Sequence, residues 1–166
     1  QYHVEKASGA YLEIMNPEAA SKTMLDKIYI DKPDGFDIDA LGRNEFYIKN
    51  VGRDLVLAGQ KPQGAEEGVY YLLDKVMGVR WIWPGELGEV IPKRHTISIN
   101  GMDLKFKQPI TSSRIHPSFA GKSGWQSEEV WKAFTAATYK WLDRHGFSWD
   151  SSIRSQHSFT HPGWKY

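Results

Sequence analysis

Apolar residues recur along the chain with two periods, and the switches between them mark out the elements. From Gly64 to Met77, Ala65, Val69, Tyr70, Leu73, Val76 and Met77 fall at helical spacing, and Gly78 stands where a left-handed glycine would end a helix. Glu45 to Lys49 and Asp54 to Ala58 flank Asn50-Val51-Gly52-Arg53, which predicts a β-hairpin. Tyr11 to Met15, Lys27 to Ile30, Val79 to Trp83 and Thr96 to Ile99 predict further strands, and Glu18 to Leu25 a short helix after the Asn16-Pro17 turn. Asp31 to Gly42 reads as a loop, and Ala58 to Gly64 as the turn into the long helix. This order predicts an α/β (α+β-like) fold, a mixed β-sheet with helices packed on one face.

Near Lys107-Gln-Pro109 the pattern changes, dividing the chain into units 1–108 and 109–166. Thr111 to Arg114 suits the start of a new strand, and Gly121 to Gln126 a loop. Ser127 is a candidate N-cap, with Glu128 and Glu129 in the positively polarised first turn of a helix running to about Arg144. Val130, Trp131, Phe134, Ala137, Thr138, Trp141 and Leu142 form its apolar side, and Gly146 lies beyond its end. Phe147 to Tyr166 has little periodicity and no closing element, so the second unit is expected to be incomplete. Trp131, Phe134 and Trp141 on one face then call for a covering partner, because left bare they would form a large apolar patch.

Composition narrows the picture modestly. At 166 residues there is room for one domain, or one domain and part of another. A net charge of +1 provides no electrostatic footprint for nucleic acid. No run approaches the ~20 apolar residues of a membrane span, so none is expected. Absence of cysteine excludes disulfides and thiolate chemistry without deciding the compartment. Beginning at Gln1 rather than Met, the chain reads as processed or as an excised piece. The unusual figure is seven Trp, with Trp125, Trp131, Trp141 and Trp149 close together. Aromatic faces stack on the C–H-rich faces of sugar rings, although core burial is the commoner use of any one Trp.

Several short words occur in a telling order: Gly59 and Gly64 before the helix, Val69, Tyr70, Leu72 and Leu73 on it, then Met77-Gly78-Val79-Arg80-Trp81 and a Pro-containing loop. With the preceding hairpin and the Ile91-Pro92-Lys93 lead into Thr96 to Ile99, they resemble the N-terminal α/β accessory domain of β-N-acetylhexosaminidases, α-glucuronidases and related bacterial glycosidase-like proteins. The match covers roughly residues 26 to 114 well and 9 to 25 weakly, the unit Tyr11 to Leu25 being shorter than in that family. The resemblance implies that 109–166 begins a (β/α)8 barrel, truncated here, with Arg114 at the position of a first-strand arginine that grips sugar hydroxyls. Barrel active sites lie at the C-terminal ends of the strands. The catalytic carboxylates of such enzymes come from later strands, so this chain alone is expected to be non-catalytic. It also implies a secreted or periplasmic protein that binds carbohydrate, beside the rest of the barrel or a neighbouring subunit, with no cofactor.

Other constellations carry candidate chemistry. Glu86 and Glu89 form a carboxylate pair of the kind glycosidases place across a sugar, but the resemblance puts them in the accessory domain, where a solvated or structural role is expected. His157 and His161 have the spacing of zinc helices, yet Pro162 and the flanking serines oppose a helix and no glutamate follows His157, so no metal is expected. His157 suits a loop hydrogen bond to substrate, since neutral imidazole donates and accepts. Trp149 suits stacking on a sugar. The candidate substrate contacts are therefore Arg114, His157 and Trp149. Three functions compete: the N-terminal fragment of a glycoside hydrolase acting on polysaccharide or glycoconjugate, a stand-alone carbohydrate-binding module, and a structural assembly subunit.

Overall fold

The computed structural model describes residues 1–31, 36–38, 41–42, 45–60, 62–106, 127–145 and 147. Its centre is a four-stranded mixed sheet in the order β1-β3-β2-β6, made of β1 (Ile28–Ile30), β2 (Phe46–Val51), β3 (Asp54–Gly59) and β6 (Asp103–Phe106). β1 runs parallel to β3, whereas β2 is antiparallel to both β3 and β6. The hairpin follows the pattern: Val51 faces Asp54 across Gly52-Arg53, and Gly52 takes φ 62°, the left-handed value that a two-residue turn asks of its first position.

Alternation along β2 and β3 sorts side chains onto two faces. Phe46, Ile48, Leu55 and Leu57 pack beneath the long helix with Leu72. Val56 and Ala58 point the other way, where Ile38 and Leu41 from the connecting segment cover them. The long helix starts as α3 (Pro62–Tyr71) and widens into a π-helical turn, Leu72–Val76, in which the Met77 amide donates to the Leu72 carbonyl at 3.2 Å. Gly78, at φ 77°, ends it as expected. Its approach to the sheet is close enough to demand glycine, since a Cβ on Gly64 would lie 2.7 Å from the Glu45 carbonyl oxygen.

A second core lies on the far side of this helix. Ala7 of α1 (Tyr2–Ser8), Leu73, Met77, Val79 and Trp81 are buried together. Trp81 belongs to β4 (Arg80–Trp81), which pairs antiparallel with β5 (Glu89–Val90) as a separate ribbon. α4 (Glu128–Asp143) begins as expected, with the Ser127 hydroxyl accepting from the Val130 amide, and seats Trp141 against this core.

Four expectations need correction. Tyr11 to Met15 forms no strand; Tyr11 and Ile14 are exposed, and a short apolar run without a partner strand has no ladder to join. Thr96 to Ile99 alternates in burial, Ile97 and Ile99 packing inward, but the place beside β2 is taken by β6. The predicted strand Val79 to Trp83 shrinks to Arg80–Trp81, with Ile82 and Trp83 turned to solvent. The helix of Glu18 to Leu25 shrinks to α2 (Pro17–Ser21), capped by the Asn16 side chain, and Met24 and Leu25 are exposed. The chain thus mixes helices with a mixed sheet. No helix among the described residues is long and apolar enough to cross a membrane.

Candidate functional site

An open cleft of about 600 Å³ runs between the long helix and the end of α4, with β4 at its floor. Helical spacing puts Glu67, Tyr70, Tyr71 and Asp74 along one wall, and Arg144 and His145 follow α4 on the other. Arg80 and Trp81 enter from β4.

The floor is held by one carboxylate. Glu89 Oε1 accepts from Trp81 Nε1 at 2.6 Å and from His3 Nε2 at 2.9 Å, and lies 3.5 Å from Arg144 Nη1. Burial would push the Glu89 carboxyl up, but the hydrogen bonds from His3 and Trp81, with the charge of Arg144, hold it below the usual value. Arg144 lies over the Trp81 ring, 5.0 Å from its centroid, and Trp141 Nε1 donates to the Trp81 carbonyl at 2.7 Å. Among the described residues, buried Arg144 Nε has no hydrogen-bond partner. His145 Nδ1 lies 2.7 Å from the Trp141 carbonyl; since a carbonyl only accepts, that nitrogen carries the proton and a neutral His145 keeps Nε2 as an acceptor.

The helix wall is acidic. Glu67 is half-buried, and burial followed by the charges of Glu66 and Asp143 pushes its carboxyl up to about 7. Asp143 is raised by burial and then by Glu66. The Tyr70 hydroxyl donates to Glu66 Oε1 at 2.7 Å, and burial with that bond raises its pKa. Asp74, at the π-helical turn, is engaged by Arg80 Nη1 and, at 2.7 Å, by Lys75 Nζ. Chemically the cleft offers aromatic surface, fixed cationic donors and a carboxyl that is protonated over part of the neutral range. Among the described residues no group of His, Asp and Glu is arranged to hold a metal ion.

Arg114, His157 and Trp149 lie outside the described residues, as do all of 109–126 and 148–166. Of the Glu86 and Glu89 pair, Glu86 is exposed in a 3₁₀ turn, while Glu89 bonds to its neighbours as a structural group. Sequence reasoning passed over Glu67, Arg144 and His145. The spacing of Glu67, Tyr71 and Asp74 carried a signal for the first, a polar line beside the apolar stripe. Arg144 and His145 read only as cations suited to a helix C-terminus.

No protein-family model, curated protein or solved structure matches the chain.

Proposed function

We propose that the chain is the N-terminal α/β part of a glycoside-hydrolase-like protein of the secreted or periplasmic space, with residues 109–166 opening a (β/α)8 barrel. In this reading the described portion binds carbohydrate without cleaving it. The observation that carries it is the cleft: Tyr70 and Tyr71 supply ring surface beside Arg80, Arg144 and Glu67, the pairing of flat apolar faces with charged hydrogen-bonding groups that sugar recognition uses. Arg114, His157 and Trp149 would add contacts from the barrel side.

Calorimetric titration of the protein with a panel of oligosaccharides tests it. Binding that weakens at least tenfold in Tyr71→Ala or Arg80→Ala is expected. Absence of heat with every glycan, or binding untouched by both variants, would count against the cleft.

A stand-alone carbohydrate-binding module is the second reading. It is favoured by the docking of α4 on the body, where Thr138 is 5% and Leu142 4% exposed. A monomer whose 127–145 segment resists protease without further chain would support it over the barrel fragment.

A further inference from the structure

Of the chain's four asparagines, Asn100 is the one followed by glycine, and its surroundings differ from those of Asn16 and Asn50. Asn16 precedes Pro17, which has no backbone N–H, and its side chain caps α2. Asn50 is clamped: its Oδ1 accepts from the Met102 amide at 2.8 Å and its Nδ2 donates to the Asp54 carbonyl at 3.4 Å. Asn100 is exposed in the turn before β6, and among the described residues its carboxamide makes one long bond, Nδ2 to Ser98 Oγ at 3.4 Å. The next residue is equally open. Gly101 is exposed at φ 72°, and a Cβ there would meet nothing within 4 Å. Among the described residues its amide donates no hydrogen bond. A main-chain nitrogen, a carboxamide carbon and solvent water therefore meet with no side chain in the way.

We propose that Asn100-Gly101 is a site of spontaneous covalent modification, deamidation through a cyclic imide, and that its conversion loosens β6. The Gly101 amide nitrogen gives up its proton to hydroxide and attacks Asn100 Cγ. The N–Cγ bond forms as the Cγ–Nδ2 bond breaks, and Nδ2 leaves as ammonia after taking a proton from water, which restores the hydroxide. Water then opens the imide at Cγ to give aspartate, or at the Asn100 main-chain carbonyl carbon to give isoaspartate. Nothing is oxidised or reduced. Either product carries a new carboxylate, and the isoaspartyl link routes the backbone through Cγ, making it one carbon longer. The turn has little slack for it. Ile99 before it and Met102 after it both pack into the core beneath α3. Met102 is also tied to Asn50 through its amide and its carbonyl, each at 2.8 Å. Those two bonds set the register of β6 on β2, so a longer link between Ile99 and Met102 releases one anchor or the other. This chemistry belongs to the turn and does not depend on what the cleft binds.

Incubating the whole protein at mildly alkaline pH and mapping its peptides by mass tests this. A mass gain equal to exchange of –NH2 for –OH is expected at Asn100, in two separable products, faster as pH rises, and not at Asn16 or Asn50. The Asp34-Gly35 step has no ammonia to lose, so mass separates it from Asn100. The rate should lie within about tenfold of that of a free peptide spanning Thr96 to Lys105, because the fold neither shields the carboxamide nor ties up the Gly101 amide. Asn100→Gln, whose extra methylene disfavours the ring, keeps its mass over the same period. Hydrogen exchange on the converted protein should show the β6 amides about tenfold or more less protected, with β3 unchanged, and aged Asn100→Gln should retain both. A folded protein that stays unconverted while the peptide converts overturns the site, and so does mass gain at Asn50 ahead of Asn100. Converted protein with β6 as protected as before overturns the loosening.

Discussion

Glu89 gathers at one oxygen what two other elements donate, and its side chain is only about 10% exposed. Glu89→Ala would leave Trp81 Nε1 and His3 Nε2 without their acceptor and Arg144 without its counter-charge. A loss of about 3 kcal/mol is expected by urea denaturation, since orphaned buried donors cost more than the bond itself contributes. A loss under about 0.5 kcal/mol would show the node to be ornamental. None of this was legible beforehand. Glu89 lies in a Gly/Pro loop that left a solvated and a structural role equally open, and its partners are 86 and 8 residues away along the chain. Glycines make a second pair of predictions. Gly64→Ala puts a Cβ 2.7 Å from the Glu45 carbonyl oxygen, a backbone atom that cannot give way, and should cost 2 kcal/mol or more, about the scale of overpacking. Gly68→Ala meets the Phe46 ring at an ordinary 3.4 Å, so the helix-propensity gain of up to about 1 kcal/mol should leave stability unchanged or raised. Thermal melts that rank the two the other way would refute this packing of α3 on β2.

Elements were legible where local rules and tertiary context agree. The hairpin, α3, the Gly78 stop and the Ser127 cap each follow from a few adjacent residues. β6 was missed because pairing is decided at a distance: the Asn50 side chain accepts from the Met102 amide at 2.8 Å and the Asn50 amide donates to the Met102 carbonyl at 2.8 Å, which sets Asp103–Phe106 alongside β2. Phe106 then stacks on Phe46 with centroids 4.8 Å apart. Thr96 to Ile99 alternates just as Asp103 to Phe106 does, and alternation reports which side chains turn inward, not which backbone finds a partner. The π-helical turn was equally invisible, since no residue type encodes it. For α4 the cap allows a simple check. Ser127→Ala should destabilise the helix by about 1 kcal/mol, seen as faster exchange of its first-turn amides, with the Val130 amide losing its acceptor. Unchanged exchange there would mean that tertiary contacts alone hold that end.

For the molecule as a whole, two carboxyls shift in opposite directions and together shape stability against pH. Glu67 titrates near 7 in the folded protein against an ordinary 4.5, so the fold retains a proton that the unfolded chain has released. Its contribution is fully present below 4.5 and is lost as pH rises through 7. Asp143, also raised, acts in the same direction. Glu89 is lowered, so its contribution is present above its ordinary value and is lost as pH falls through the folded one. Stability should therefore peak in mildly acid solution, near pH 5, where Glu67 is still protonated and Glu89 already ionised. From there to pH 8 the Glu67 term should cost on the order of 2 kcal/mol, after allowing for screening at a half-exposed site. Glu67→Gln cannot ionise, so it should match the parent protein at pH 5 and exceed it at pH 8 by that amount. Glu89→Gln stands in for the protonated carboxyl, so it should approach the parent protein on the acid side and fall below it from about pH 5 upward, which flattens the acid-side decline. Urea midpoints from pH 4 to 8 for the three proteins decide it: parallel curves would show that neither carboxyl is held as the structure places it.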